Sequence, residues 1–421
     1  MITIDDVVLH PAASASGFHV GLDAPSGGTS ARGHLLRVAG WVATTGVPVR
    51  SGVVHDGITS FDLGYGSRRR DDVVQALPWA APDCGFDTLL LAAGLPTRFE
   101  LVLAAGTDGQ PRVDLATIRG RRTVLPAVPE PDDPGPQPVL VTSLGRSGSS
   151  WLMRLLVTHP EIVGDPAWPH ELSATGLELR TLRRLAETPH GVDAPSSFDF
   201  PEGGSWWQSS YALDAPGVRD WLASGRVELL AQGARAGVRG VHTAIAEAQG
   251  RPRPALFAEK AVPGTQARLV RELFPLAREL VLVRDFRDVL ASMYAFDAKR
   301  GYAGFGRDQV ASEAAFVRRI AALADALHAV TVERPGAVVV RYEELVASPV
   351  EVLASVFSSL GVDPGVAARV VAGAGGTDEG AAHMTSATAA SSVGRWRRDL
   401  PAGIADAAEA ELGAALAGFG Y

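Results

Sequence analysis

Basic and hydroxyl side chains are gathered in one short segment of the sequence, Gly145–Ser150, which has the sequence GRSGSS. Its glycines allow close backbone approach to a ligand, its serines add hydroxyl donors, and Arg146 supplies a permanent positive charge. An apolar run, Pro138–Leu144, precedes the segment and a helical pattern follows it. Because a strand, a loop and a helix N-terminus in this order aim several backbone N–H groups at one point, the pattern predicts an anion site. A tight turn capped by serine is the alternative.

The basic residue of this loop is placed differently from the lysine of nucleoside triphosphatases. Their loop has the pattern G-x-x-x-x-G-K-[ST], in which the lysine contacts the β- and γ-phosphates. In this chain Ser149 follows Gly148, and Arg146 lies before that glycine. The order of residues therefore argues against triphosphate chemistry.

A second pair of residues with phosphate-binding chemistry lies farther along the chain. Arg284 ends the apolar run Glu279–Val283, and Ser292 follows eight residues later in a predicted helix. Two helical turns separate them, so an arginine at a strand end and a serine in the helix can approach one phosphate from different sides. Either residue alone is commonly exposed to solvent, but the pair indicates a phosphate contact.

Taken together, the two segments resemble the sulfotransferases that use 3′-phosphoadenosine 5′-phosphosulfate (PAPS). Ser143–Leu152 is similar to the loop with which that family binds the phosphosulfate, and Val283–Met293 to the segment that binds the 3′-phosphate. The resemblance implies PAPS as co-substrate. It also implies that the following residues contact PAPS, the sulfuryl donor: Arg146, Ser147, Gly148, Ser149, Ser150, Trp151, Arg284 and Ser292.

The resemblance continues to about Pro401. Arg341–Leu345 is similar to a structural signature of the family, to which we assign no chemistry. Gly394, Arg395 and Trp396 stand where the family has a Gly-x-Trp in a late loop over the nucleotide, so Gly394, Arg395 and Arg397 are further candidate phosphate contacts. Just before this point animal cytosolic members have Arg-Lys-Gly, whereas this chain has TSATAAS and resembles the bacterial branch better.

The reaction implied by the resemblance is an in-line sulfuryl transfer through a loose transition state, in which Arg146 would stabilise the departing phosphate. An acceptor hydroxyl needs a general base. Cytosolic members use the histidine of a Lys-Thr-His run, but here Lys260 is kept and Val262 stands near the histidine position. Other branches use a glutamate, so Glu171 is our first candidate and His170 its rival. Lys260 is a candidate contact for the transferring sulfonate, and no metal is expected.

These residues must be positioned by elements that the sequence also predicts. Between residues 138 and 421, apolar runs alternate with helical patterns, which predicts an α/β domain with a P-loop-like parallel sheet flanked by helices. Residues 1–128 alternate in short apolar runs separated by turn residues, which predicts a smaller all-β sandwich with Trp41, Val42, Leu101 and Val102 in its core. Residues 129–137 are predicted to be a proline-rich linker.

The amino-acid composition of the chain limits the classes of binding partner and the cellular location that we expect. Of 421 residues, 39 are Lys or Arg and 47 are Asp or Glu, so the net charge of −8 argues against nucleic acid or an anionic membrane surface as partners. The single cysteine, Cys84, excludes an intrachain disulfide and a cysteine-based metal site. Residues 1–10, MITIDDVVLH, lack the features of a signal peptide, and no apolar run approaches a membrane span. We expect a cytoplasmic protein without membrane insertion.

The acceptor is less well defined than the donor. Gly64–Pro78 resembles accessory β domains attached to bacterial carbohydrate-modifying enzymes, which favours a glycan over another small-molecule acceptor such as a natural product. Trp206, Trp207 and Tyr211 lie in a stretch without a family motif and are candidates for the wall of the acceptor pocket. Packing in a hydrophobic core is the alternative for these aromatic residues.

Two other functions remain open at this point. A small-molecule kinase of P-loop type would also bind a phosphorylated nucleotide in a strand-loop-helix segment. A non-catalytic glycan-binding protein would keep the β module and have a decayed α/β domain. The presence of Arg146, Arg284 and Ser292 argues against decay.

Overall fold

The computed structural model describes residues 1–108, 112–127, 135–187, 216–251, 253–374 and 378–421. The chain forms two compact units. The first comprises Met1–Val128 and Leu177–Ala236, and the second Pro129–Gly176 and Gly237–Tyr421. Segment 177–236 is thus grouped with the N-terminal part of the chain, whereas the sequence analysis assigned it to the domain that begins at residue 138. Most of the predicted linker lies outside the described residues, and the domain boundaries stay a prediction.

Antiparallel strands build the first unit. One sheet has the order β3-β1-β9-β8-β5-β6 and the other the order β2-β4-β7. The strands are β1 (Ile2–Leu9), β2 (Phe18–Ala24), β3 (Ser30–Ala31), β4 (Leu35–Thr44), β5 (Val49–His55), β6 (Ser60–Asp62), β7 (Gly85–Leu91), β8 (Arg98–Thr107) and β9 (Val113–Arg122). Helices Pro11–Ala15, Asp71–Ala76 and Pro216–Ala223 also belong to this unit, and Ala174–Ala186 and Gly225–Ala248 contribute part of their length.

One hydrophobic core draws side chains from both sheets of the first unit, as in a β-sandwich. Val42 and Leu101 are buried there, as the alternation of apolar residues predicted. Trp41 packs instead against a small separate cluster around Cys84, and Val102 is half-buried. Both departures follow from the period of two in a strand, because neighbouring residues point to opposite faces. The predicted all-β character of this region is confirmed.

Parallel strands build the second unit, which confirms the predicted α/β sheet. The strands are β10 (Gln137–Thr142), β11 (Ile162–Gly164), β12 (Leu256–Ala261), β13 (Arg278–Val283) and β14 (Val338–Arg341). Their order is β11-β12-β10-β13-β14, and every neighbouring pair is parallel. Central strand β10 is buried throughout its length, as expected for a strand covered by helices on both faces.

Helices cover this sheet, and two clusters of buried apolar residues lie between the sheet and the helices. The helices are Ser149–Thr158, Thr265–Leu273, Phe286–Arg300, Glu313–Glu333, Tyr342–Ala347, Pro349–Leu360, Ala367–Gly373, Asp378–His383, Trp396–Asp399 and Ala402–Phe419. Helix Phe286–Arg300 begins at Asp285, whose carboxylate accepts a hydrogen bond from the Arg287 N–H at 2.9 Å, and ends at the left-handed Gly301. Among the described residues, no helix combines the length and apolarity that crossing a bilayer requires.

The strand order indicates which edge of the sheet is suited to binding a ligand. After β10 the chain adds β11 and β12 on one side, and then β13 and β14 on the other. In open parallel sheets this reversal opens a crevice at the carboxyl ends of the strands. The loop Gly145–Ser150 and Arg284 both lie at this edge, because they directly follow β10 and β13.

Candidate active site

The carboxyl edge of the parallel sheet opens into a cavity of about 640 Å³. This volume is typical of pockets for small ligands. Arg146 and Gly148 reach it from the loop after β10, Lys260 from the end of β12, Arg284 from the residue after β13, and Tyr342 from the helix after β14. Four strands therefore contribute to one site.

The loop after β10 has an unusual backbone. Arg146 has a φ of +69° and Gly148 a φ of +93°, and Gly148 is the residue before helix Ser149–Thr158. A Cβ atom at Gly148 would lie 2.6 Å from Cδ2 of Tyr342, so a larger residue does not fit there. This path brings the first helical residues, Ser149, Ser150 and Trp151, to the cavity wall.

Ser147 is the one predicted loop contact that does not line the cavity. Its side chain is fully buried, and its hydroxyl has no hydrogen-bond partner among the described residues. Its two neighbours, Arg146 and Gly148, do line the cavity. A role for the Ser147 hydroxyl in donor binding stays a prediction.

Arg146 crosses the cavity to helix Phe286–Arg300. Its Nε donates to Oγ of Ser292 at 3.2 Å, and its Nη2 donates to the carbonyl oxygen of His383 at 2.9 Å. The guanidinium lies 4.2 Å from the centre of the Phe296 ring. No carboxylate of the described residues forms an ion pair with it. Burial, and next the nearby arginines, lower the pKa of Arg146 to about 10, so that it remains charged at neutral pH.

Arg284 is more deeply buried, with 4% of its surface exposed. Its Nη1 donates to the carbonyl oxygen of Arg146 at 3.1 Å, and its Nη2 donates to that of Ser392 at 2.6 Å. The guanidinium lies 4.6 Å from the centre of the Tyr342 ring. Its Nε has no partner among the described residues, and no carboxylate there forms an ion pair with it. The side chain is thus held in place while its Nε, and one N–H of each terminal nitrogen, are not used by these hydrogen bonds.

Positive charge dominates the wall of the cavity. A single carboxylate, that of Glu171, lies among its described lining residues. Five cationic side chains line the same cavity: Arg146, Arg154, Lys260, Arg284 and Arg300. Because the whole chain carries a net charge of −8, this is a local concentration of positive charge and not a property of the surface as a whole. Such a cavity is complementary to a small polyanion.

Two of these cations, Arg154 and Arg300, were not among the predicted site residues, although their helical spacing from Ser150 and Ser292 could have indicated them. Arg154 lies four residues after Ser150, and Arg300 lies eight residues after Ser292. Residues four apart share one face of a helix. A search for basic residues at this spacing from each candidate serine finds both. Helical position alone, however, does not separate a cavity-facing arginine from a solvent-facing one.

Lys260 is surrounded by acceptors. Its Nζ donates to Oγ of Ser150 at 2.7 Å, to the carbonyl oxygen of Pro169 at 2.7 Å and to Oε1 of Glu171 at 3.1 Å. An ammonium has three N–H donors, so all of them are used. Burial lowers the pKa of Lys260, and the Glu171 carboxylate opposes that shift. The lysine therefore fixes two cavity residues relative to each other.

The two candidates for the general base are placed differently. Glu171 lines the cavity, and 66% of its side chain is exposed. His170 is buried: its Nδ1 is 2.8 Å from the carbonyl oxygen of Asp165, and its Nε2 is enclosed without a partner among the described residues. The cavity lining does not include it. The geometry favours Glu171, and the catalytic role of either residue stays a prediction.

A C-terminal segment closes one side of the cavity. The buried carboxylate of Asp288 accepts hydrogen bonds from the N–H groups of Gly394 at 2.7 Å and Trp396 at 2.9 Å, which ties the segment to helix Phe286–Arg300. Thr385 and Ser386, from the TSATAAS stretch, line the cavity. The stretch that differs from the animal enzymes is therefore part of the wall.

The predicted contacts Gly394, Arg395 and Arg397 do not line the cavity. Arg395 is buried behind it, where its Nε donates to Asp399 at 2.7 Å and its Nη1 donates to Oγ1 of Thr385 at 2.9 Å. The Thr385 hydroxyl is in turn 3.2 Å from that of Ser292. Arg397 is exposed and lies over the Trp396 ring. Direct phosphate contacts by these three residues stay predictions.

Aromatic residues complete the wall. Sequence reasoning singled out Trp206, Trp207 and Tyr211, but these lie outside the described residues. The aromatic side chains that do line the cavity are Trp151, Trp168, Phe296, Phe305 and Tyr342. Nε1 of Trp168 donates to Nδ1 of His383 at 3.2 Å, and this joins the segment after β11 to the C-terminal segment. Flat apolar groups beside a cationic wall suit a ligand that contains both a ring and anionic groups.

A parallel α/β sheet whose edge carries a glycine-rich loop, two arginines without carboxylate partners among the described residues, and an aromatic wall is typical of a protein class whose ligands are anionic and contain a ring. Among known families, the model of the Sulfotransferase family matches residues 138–364, more than half of the chain. The chain therefore belongs to the sulfotransferase family, whose members are PAPS-dependent enzymes. Membership implies PAPS as co-substrate and a small acceptor. The match ends before Gly394, so it does not include the late loop.

Solved structures similar to the chain include two mycobacterial sulfotransferases. Sulfotransferase STF9 from Mycobacterium avium is 12% identical, with 57% of this chain and 68% of that chain covered and a TM-score of 0.31. Sulfotransferase STF1 from Mycobacterium tuberculosis H37Rv is 14% identical, with 60% and 74% covered and a TM-score of 0.32. The search of curated proteins found no significant match.

The close approach at Gly148 generates a prediction. Gly148→Ala places a Cβ atom against the Tyr342 ring at a positive φ, so the loop must move and donor affinity should fall by at least about tenfold, or 1.4 kcal/mol. Gly413→Ala is the matched control, because this glycine lies in helix Ala402–Phe419 with nothing within 4 Å of the added atom. Isothermal titration calorimetry with 3′,5′-ADP measures the effect. Equal affinities of the two variants would contradict the assigned role of the loop.

Proposed function

We propose that this protein transfers the sulfuryl group of PAPS to a hydroxyl group of a small acceptor, a carbohydrate or another natural product, and releases 3′,5′-ADP. The observation that carries the proposal is the pair of guanidinium groups of half-buried Arg146 and buried Arg284, without carboxylate partners among the described residues. Buried charge is costly unless it is paired, so such a pair implies an anionic ligand. Family membership supplies the chemistry of that ligand.

In the proposed complex the two ends of the donor are held by different elements. Arg284 and Ser292 contact the 3′-phosphate, and Arg146 with the backbone N–H groups of the loop Gly145–Ser150 contacts the phosphosulfate. The unpartnered Nε of Arg284 supports the first contact, because it is a buried donor that needs an acceptor. The Ser292 hydroxyl is hydrogen-bonded to both Arg146 and Thr385, which fixes its position before the ligand arrives.

The proposed reaction exchanges one sulfur–oxygen bond for another. The bond from sulfur to the bridging oxygen breaks, a bond from sulfur to the acceptor oxygen forms, and the hydroxyl proton passes to the general base. Negative charge grows on the bridging oxygen. Arg146 and the loop N–H groups stabilise that charge, and removal of one such preorganised donor typically costs about 3–4 kcal/mol. The reaction balances without a metal ion.

We assign Glu171 as the base because it is the one carboxylate among the described cavity residues. Its Oε1 lies 3.1 Å from Nζ of Lys260, and the same ammonium lies 2.7 Å from Oγ of Ser150 in the anion loop. Lys260 thereby connects the residue that takes the proton with the loop that binds the donor. Its charge is placed to stabilise the sulfonate as it moves between them.

Substitution of Arg284 tests the donor site. Arg284→Ala removes a buried cation that has no carboxylate to leave unpaired, so the fold should persist while the affinity for 3′,5′-ADP falls about 100-fold, or roughly 3 kcal/mol. Calorimetry without magnesium measures binding, and circular dichroism measures folding. Arg398→Ala is the matched control, because this side chain is 73% exposed. Unchanged affinity in Arg284→Ala, or tighter binding of ATP with magnesium than of 3′,5′-ADP, would contradict the proposal.

Substitution of the two base candidates separates their roles. Glu171→Gln keeps the shape of the side chain but cannot accept a proton, so turnover should fall about 100- to 10,000-fold with little change in donor affinity. His170→Ala should leave the turnover of folded enzyme within about tenfold of wild type, because the imidazole is buried outside the cavity. Steady-state kinetics with PAPS measure both variants. Loss of turnover in His170→Ala alone would reassign the base.

A further inference from the structure

A second cavity lies in the first unit, at one end of the β-sandwich. Its volume is about 380 Å³. It is lined by the β4–β5 turn, by residues that follow β6, and by the segment between helix Asp71–Ala76 and β7. β-Sandwich folds commonly bind ligands with the loops at one end of the sandwich, because the two sheets hold these loops rigidly while the loop sequences can vary. None of its lining residues belongs to the second unit, which contains the cavity at the carboxyl edge of the parallel sheet.

The wall of this cavity includes a tryptophan that is 42% exposed, Trp79. Its chain neighbours Leu77 and Ala80 pack in the cluster around Cys84, and the Ala80 N–H donates to the Leu77 carbonyl oxygen at 2.8 Å. The indole itself is not part of that cluster. Its centre lies 4.9 Å from that of the His19 ring, at an angle of 60°. The backbone on either side of Trp79 is thus anchored, while the indole of Trp79 presents a large flat apolar surface that is not packed in the cluster around Cys84.

Polar groups stand around the indole. The Asp83 carboxylate has no hydrogen bond or ion pair with the described residues, so all its lone pairs are available. Arg50 uses its Nε for an exposed pair with Asp108 at 3.0 Å, which leaves the donors at the tip of its guanidinium. The Thr44 hydroxyl donates to the Val47 carbonyl oxygen and can still accept a hydrogen bond.

Tyr65 forms another part of the wall with its ring. Its hydroxyl donates to the Val42 carbonyl oxygen at 3.1 Å, inside the unit. Burial raises the pKa of Tyr65 to about 12, so the phenol is neutral in the physiological range. The cavity therefore has two aromatic surfaces, one carboxylate and one partly engaged guanidinium.

This combination selects among ligand classes. A phosphate or sulfate ester is disfavoured, because Arg50 is already paired and the carboxylates of Asp83 and Asp108 would repel it. A wholly apolar ligand would cover Asp83 without giving it a hydrogen bond, which is costly. A sugar ring has an apolar C–H face for the indole and hydroxyl groups at its edge for the carboxylate and guanidinium. We propose that this cavity binds a neutral saccharide through Trp79, Asp83 and Arg50.

The experiment titrates the full chain with neutral oligosaccharides, namely cellotriose, maltotriose and chitotriose, and with a sulfated disaccharide of chondroitin. Saturation-transfer NMR detects the bound sugar. We expect at least one neutral trisaccharide to bind with a dissociation constant of about 1 mM or below, and more tightly than the sulfated one. Trp79→Ala and the conservative Asp83→Asn should each weaken binding at least about tenfold.

Trp221→Ala is the matched control, because this tryptophan of the same unit is 51% exposed and does not line the cavity. It should bind the sugar as wild type does. All three variants should keep their affinity for 3′,5′-ADP, so a defect in the nucleotide site is distinguishable from a defect here. Failure of every neutral sugar to bind at about 20 mM, preference for the sulfated disaccharide, or equal binding by Trp79→Ala and wild type would each overturn the proposal.

Discussion

Uncompensated positive charge at the carboxyl edge of the parallel sheet is the constraint that organises the second unit. Arg284 is buried and Arg146 half-buried without a carboxylate of the described residues in an ion pair with either, which is unfavourable for the protein alone. Backbone carbonyl oxygens of Arg146, His383 and Ser392 hold the two guanidinium groups in position. Such groups lose little further freedom when an anion binds, and this is the arrangement that electrostatic preorganisation requires.

Distant parts of the chain maintain this arrangement. Asp288 ties the C-terminal segment to the helix that carries Ser292, through hydrogen bonds to two backbone N–H groups. Arg395 contacts Thr385, whose hydroxyl contacts Ser292. Arg395 thus supports the position of Thr385 from behind the cavity wall, and a direct phosphate contact by Arg395 stays a prediction. The late loop thereby influences the donor site from outside the cavity.

Much of the fold, and the grouping of Arg146, Arg284 and Ser292 at one cavity, were predictable from sequence, because their signals are local. Alternation of apolar residues indicated both kinds of sheet, and the order of residues around Arg146 separated the loop from that of a triphosphatase. The pairing of Arg284 with Ser292 was predicted because Arg284 follows the end of a strand and Ser292 lies two helical turns later. These signals require no knowledge of tertiary packing.

What was missed depends on contacts between segments that are far apart in sequence. The direction of Arg154 and Arg300, the burial of Arg395 behind Thr385, and the enclosure of His170 all follow from packing across the sheet edge. Nor does sequence spacing show that Lys260 joins Ser150 to Glu171. The candidates for the acceptor wall, Trp206, Trp207 and Tyr211, lie outside the described residues, and the described cavity wall includes aromatic residues that the sequence analysis did not single out, such as Trp168. Hydrophobicity alone does not separate an aromatic residue in a core from one in a pocket.

Transfer of label from radioactive PAPS to a panel of hydroxylated acceptors is the decisive test of sulfuryl transfer by this protein. We expect labelled sulfate on at least one acceptor, release of 3′,5′-ADP in equal amount, and a rate that is unchanged by chelation of divalent metals. Transfer of the γ-phosphate of ATP in the presence of magnesium, with no acceptor labelled from PAPS, would rule out the proposed reaction.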